Sequence, residues 1–206
     1  MIIDTKPIQL FPIELHRIVT DIDHEAITEY TLKHRENWKG YTTYHNLEIN
    51  RDWIKGLPDR EKLEQCMLNA GKEYLKRTKR PSFSEYGKGT FLYYWASVYD
   101  QYDQHGAHIH ANSLLAGTYY PAAGKESSSI NFEAPWSSHI MHDQHAIGLT
   151  TFNYKPNPGD MLVWPAWLTH RVEPQRKSDT RRIAISFNLD YAKYHEPAPH
   201  HDQQIL

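Results

Sequence analysis

Three histidines fall within six residues at the start of HGAHIHANSLLAGTYY, residues 105–120: His105, His108 and His110. Neutral imidazole is a good ligand for divalent transition metals. If this segment is extended, His108 and His110 leave the same face and both rings reach one ion. The pair alone is a weak sign, because a chain with 14 histidines in 206 residues produces about one His-x-His by chance. The competing reading is a polar, histidine-rich loop. A second pattern, His139, His142 and His145, lies in SSHIMHDQHAIG. Spacings of three and six share a helix face only in part. That stretch therefore reads as a loop at a pocket rim, with His142 and His145 as candidate substrate contacts. His200 and His201 read as solvated tail residues, and His45 and His195 carry no pattern.

The C-terminal half adds chemistry to the pair. In PGDMLVWPAWLTHRV a turn, a strand and an aromatic step deliver His170, with Trp164 and Trp167 as candidates to line or close a pocket. Twelve residues further on, Arg182 opens RIAISFNL. In a strand, Arg182, Ala184, Ser186 and Asn188 share one face, and Ile183, Ile185, Phe187 and Leu189 share the other. The second face is core. The first is either solvated or turned into a barrel, where Arg182 and Ser186 would hold a carboxylate in the planar grip a guanidinium offers.

These residues need a scaffold, and the chain divides in two. Residues 1–82 read as helical. Asp23–Glu36 opens with acidic residues, and Asp59–Arg80 repeats apolar residues at helical spacing behind a Pro58-Asp59 cap and before Pro81. From residue 90 the pattern turns to β. Strands are expected at Phe91–Tyr99, Leu114–Tyr120, Ser128–Phe132, Ala146–Tyr154, Asp160–Trp164 and Arg182–Leu189, with a turn at Pro156–Gly159. Short strands and many turns predict an antiparallel sandwich or barrel. One domain over 1–194, with a β core over 90–190, and a polar tail over 195–206 are expected.

Bulk properties narrow the function classes. Net charge is -2, so there is no general basic surface for nucleic acid, and the short KRTKRP run reads as the solvated end of a helix. No apolar run approaches the roughly 18 residues a membrane helix needs. The N-terminus shows no secretory signal, and Cys66 is the only cysteine. Together these suit a reducing, cytoplasmic setting.

HIHANSLLAGTYY, PGDMLVWPAWLTHRVEP and RRIAISFN together resemble a family of 2-oxoglutarate/Fe(II)-dependent oxygenases, a small phage and bacterial branch distantly similar to prolyl hydroxylases. The blocks span roughly residues 91–190 in the family's order, and PIQLFPIEL looks like its opening. The resemblance implies a mainly β fold with flanking helices, a double-stranded β-helix (a cupin-like jelly roll). It places His108, His110 and His170 as metal ligands for Fe(II). It places Arg182 and Ser186 on the C5 carboxylate of 2-oxoglutarate, with Tyr120 and Tyr99 in the same pocket and Asn112 beside the ligand pair. The wider superfamily has a carboxylate where His110 stands here, so the metal would be one unit more positive, and three imidazoles also suit zinc. The implied activity is hydroxylation of a substrate C–H bond with release of succinate and CO2, served by a small-molecule cosubstrate. Two alternatives stay open: a cupin-like three-histidine metalloenzyme without 2-oxoglutarate, and a non-catalytic metal-binding jelly-roll module. The primary substrate and the oligomeric state are not legible.

Overall fold

Strands that are apolar on both faces must be covered on both faces, and the longest strands here are of that kind. The structure is a computed structural model that describes residues 13–135, 150–176, 181–194 and 204–205. Its elements are β1 (His16–Val19), α1 (His24–Arg35), α2 (Leu47–Lys55), α3 (Arg60–Arg77), α4 (Phe83–Gly87), β2 (Thr90–Tyr99), β3 (His105–His108), β4 (Leu115–Ala122), β5 (Ile130–Glu133), β6 (Thr151–Tyr154), β7 (Asp160–Pro165), β8 (His170–Val172), β9 (Arg182–Tyr191) and β10 (Gln204–Ile205). They build two antiparallel sheets, a major one in the order β1-β7-β4-β9-β2-β10 and a minor one in the order β3-β8-β5-β6. This is the expected double-stranded β-helix.

The alternation within β9 and β2 separates two cores. Ile183, Ile185, Phe187 and Leu189 join Leu92, Tyr94, Ala96 and Val98 on the outer face of the major sheet, under Ile27, Leu63, Met67 and Tyr74 of the helices. Ala184 joins Tyr99, Ala116, Tyr120 and Trp164 on the inner face, against Ile130, Phe132 and Val172 of the minor sheet. The helices thus cover one side of the major sheet and leave the other to form the barrel interior. Among the described residues no helix is long and apolar enough to cross a membrane.

Several elements depart from the sequence expectation. The N-terminal region is not wholly helical: β1 adds an edge strand along β7, pairing His16 with Val163 and Val19 with Asp160. At four residues it is too short to show a period. Asp59 does not cap α3; it sits in the left-handed region at φ 51° with no side-chain cap bond. Asp23 does cap α1, accepting from the Ala26 amide. α2, capped by Asn46, and α4, opened by a reciprocal Ser82–Glu85 capping box, were not anticipated. The expected strand over 146–154 begins at Thr151, and its first residues lie outside the described residues, as do the N-terminal PIQLFP and nearly all of the tail.

One ion-pair cluster ties the sheets together at an edge. The buried Asp160 carboxylate of β7 accepts from Arg17 Nε of β1 at 2.9 Å, from the Tyr154 hydroxyl of β6 at 2.6 Å and from the Asn157 amide at 2.8 Å. Burial raises its pKa, but these donors outweigh burial and hold it below the ordinary carboxylate value. Its contribution to stability is therefore present above the unfolded pKa of about 3.9 and is lost as pH falls through the lower folded value. Denaturant titrations should find Asp160→Asn less stable than wild type at neutral pH, with the gap closing below about pH 4. A close approach also fixes Gly117: a Cβ there would run into the Phe187 ring. Gly117→Ala should cost about 1–3 kcal/mol by overpacking, read as a lowered melting temperature.

Candidate metal centre and adjoining pocket

His108 closes β3 and faces His170, the first residue of β8, across the minor sheet. The pairing slips by a residue between His105 and His108, a bulge of the kind that re-aims side chains near sites. His110 lies just beyond β3, and its amide donates to Ala166 O at 2.9 Å. Ile109 between the two histidines is exposed, as a two-residue period demands. One ligand atom from each of His108, His110 and His170 lies within 4.8 Å of the others, and among the described residues no other group of three His, Cys, Asp or Glu side chains does so.

Each ring is already oriented for coordination. His108 Nδ1 bonds Gly106 O at 2.8 Å, His170 Nδ1 bonds Leu168 O at 2.9 Å, and His110 Nδ1 bonds the Asn188 side-chain oxygen. All three acceptors are oxygens, so each Nδ1 carries the proton and each Nε2 keeps its lone pair. Nε2 of His110 and His170 stand 3.2 Å apart. Two nitrogens that close without a shared proton fit a common cation between them. Burial lowers all three pKa values, to about 4 for His110 and about 3 for His170. The rings are thus neutral, the form that binds metal. Trp164, fully buried, packs edge-on to His170 at 4.9 Å.

The same cavity runs inward to Arg182, past Trp95, Ser97, Thr118 and Ser186. Arg182 is 1% exposed, with its guanidinium carbon 4.7 Å from the Tyr99 ring centre and 5.0 Å from that of Tyr120. Its Nη2 reaches the Tyr120 hydroxyl at 3.4 Å, and its Nε and Nη1 have no acceptor among the described residues. Burial raises the phenols of both tyrosines, that of Tyr120 to about 12, against the pull of Arg182. Neither neutralises the arginine. No acidic side chain lines the cavity among the described residues.

The other expected site residues fall as follows. Ser186 lies on the inner face, but its hydroxyl pairs with Thr118 at 3.3 Å. Asn112 occupies an exposed turn at φ 60°, in a neighbouring groove. The amide that holds a histidine is Asn188, which the alternation of β9 puts on the same face as Arg182. Trp167 is 46% exposed. His142 and His145 lie outside the described residues. His105 is the first residue of β3 and also lines the cavity.

A buried guanidinium and three convergent imidazoles thus share one cavity inside a jelly roll. Residues 93–188, from β2 to β9, match the family model described as "Putative 2OG-Fe(II) oxygenase". A search of curated proteins finds no match. Among solved structures, the non-haem alpha-ketoglutarate-dependent carbocyclase SnoK from nogalamycin biosynthesis aligns with a TM-score of 0.52 and 11% identity, covering 85% of this chain and 78% of that one. That likeness is one of fold. An oxidoreductase of the 2OG-Fe(II) oxygenase family from Burkholderia pseudomallei aligns at 0.40 and 11% identity, over 50% of this chain and 45% of that one. A Pseudomonas putida prolyl-4-hydroxylase aligns at 0.38 and 10% identity, over 48% of each. The chain spans about half the length of these last two.

The Asn188 contact yields a direct test. Partners that orient metal-bound histidines typically contribute about 10–100-fold in metal affinity. Asn188→Ala should weaken Fe(II) or Zn(II) binding by that order in a chelator competition, with the fold retained by circular dichroism.

Proposed function

We propose that the protein is a 2-oxoglutarate- and Fe(II)-dependent oxygenase that hydroxylates a C–H bond of a substrate still to be identified. The observation that carries this reading is Arg182. A fully buried guanidinium with two unpartnered donor atoms sits in the same cavity as three histidines whose free nitrogens converge. An uncompensated buried charge is costly, and a carboxylate at the cavity floor supplies the missing partner. In the cupin-like alternative Arg182 would face solvent; it is 1% exposed.

The residues present fit both groups. His108, His110 and His170 hold the metal, with Nδ1 protons fixed by Gly106, Asn188 and Leu168. Arg182 would hold the C5 carboxylate through donors that meet no acceptor among the described residues. Tyr99 and Tyr120 pack their rings within 5.0 Å of the guanidinium carbon. Ser186 and Thr118 offer hydroxyl donors along the cavity wall. Trp164 presses on the ligand His170 from the core. Asn112 and the half-exposed Trp167 belong to the substrate side, outside the cosubstrate pocket. When bound, Fe(II) and 2-oxoglutarate supply oxygen activation, with decarboxylation to succinate and CO2 coupled to substrate oxidation. The cytoplasm is the setting we assign, on the single half-buried Cys66, whose thiol pKa burial raises. Residues 1–194 act as one unit, since β1 completes the sheet that carries the site.

Anaerobic loading with Fe(II), then addition of 2-oxoglutarate and O2, should release succinate above a metal-free control. Arg182→Ala should raise the 2-oxoglutarate requirement by roughly 30-fold or more, the equivalent of about 2 kcal/mol for an unpaired charge partner, while metal binding persists. His170→Ala should abolish metal binding. Tight zinc binding with no 2-oxoglutarate turnover in the Fe(II) form would refute the assignment.

A further inference from the structure

The cavity contains a fourth histidine that the metal cluster does not use. His105 lines the cavity, and its ring centre lies 4.2 Å from that of the ligand His108. Its Nδ1 stands 2.7 Å from the Tyr41 hydroxyl. Tyr41 in turn packs on Tyr99 at 5.1 Å, and Tyr99 carries the Arg182 guanidinium. Burial, with neighbouring Tyr99 and Asp103, pushes the Tyr41 phenol up to about 12, so the hydroxyl keeps its proton. That proton has no other acceptor among the described residues, and it goes to His105 Nδ1. A neutral imidazole that accepts at Nδ1 carries its own proton on Nε2. His105 thereby presents an N–H whose nitrogen bonds no described residue, at the metal end of a cavity without acidic side chains.

We propose that His105, oriented by Tyr41, is a hydrogen-bond donor to the carboxylate at the chelating end of a 2-oxo acid. This inference rests on the oxygenase reading for the identity of that acid. Arg182 then holds the far carboxylate and His105 the near one, so that both ends of the cosubstrate are recognised by the protein as well as by the metal. The claim separates into two halves of the ligand. Oxalate carries only the chelating end, and glutarate carries two carboxylates without the oxo group.

The test is anaerobic calorimetry on the Fe(II)-loaded full chain with 2-oxoglutarate, oxalate and glutarate, run on wild type, His105→Leu, Tyr41→Phe and Arg182→Ala, with Fe(II) affinity measured separately by chelator competition. His105→Leu should weaken 2-oxoglutarate and oxalate by the same factor, about 10-fold, as expected for one hydrogen bond to a charged acceptor. Fe(II) affinity should not change. Tyr41→Phe should weaken both ligands by about 3-fold, since the ring stays but its tautomer is no longer fixed. Arg182→Ala should weaken 2-oxoglutarate and glutarate and spare oxalate. Unchanged oxalate binding in His105→Leu overturns the proposal, as does a parallel loss of Fe(II), which would make His105 a ligand. If His105→Leu does not fold, Tyr41→Phe decides: unchanged oxalate affinity there is equally fatal. If wild type binds oxalate but not 2-oxoglutarate, the oxygenase reading fails and the oxalate arm alone judges His105.

Discussion

A guanidinium sealed between two sheets has to be answered by negative charge, and the rest of the site follows from that need. Arg182 cannot lose its proton at any ordinary pH. Two of its nitrogens meet no acceptor among the described residues, and the third meets only the neutral Tyr120 hydroxyl. Folding therefore keeps a cation in the barrel without settling its charge. A cavity arranged in this way is less stable than one lined by hydrocarbon, and the difference is recovered when an anion enters.

The metal cluster imposes the same sign. Three neutral imidazoles add no negative charge to a divalent ion, where a carboxylate ligand would add one. Asn188 sharpens this: an amide oxygen accepts the His110 proton without pulling the ring toward imidazolate. β9 thus serves two ends of the site at once, with Arg182 at its start and Asn188 near its finish on one inner face. A dianion that chelates at one end and offers a carboxylate at the other suits both demands. The helices take no direct part in this chemistry. They bury the outer face of the same strand through Phe187 and Leu189, and so fix which face of β9 looks inward. Were the register of β9 to slip by one residue, Arg182, Ser186 and Asn188 would turn into the helical core.

How much of this was legible in the sequence depended on whether the signal was local. The alternation in RIAISFN separated the core face from the polar face, because a strand's period is local, but left open whether the polar face met solvent or a barrel. The aromatic and β-branched run of β2 and the spacing within α3 were legible for the same reason. The approach of His108 to His170, and of Thr118 to Ser186, is set by register between distant strands, and spacing along the chain does not encode it. Asn188 was within reach: it shares the polar face on which Arg182 and Ser186 were noticed. The link from His105 to its partner Tyr41, 64 positions away and before the β core begins, is likewise not encoded in spacing along the chain. The Ser82–Glu85 capping box that opens α4 was a readable signal left unread, whereas β1 is defined only by the edge of β7 that it pairs with.

The central claim is that the metal and the buried arginine form one binding site for one ligand. The most direct measurement compares 2-oxoglutarate with 2-oxopentanoate, which has the same chelating end and a methyl in place of the far carboxylate, as ligands for the Fe(II)-loaded protein in anaerobic calorimetry. The account requires 2-oxoglutarate to bind tighter by roughly 30-fold or more, the ~2 kcal/mol that pairing a buried charge contributes. Equal affinities would show that Arg182 does not meet the ligand held at the metal, and would contradict it.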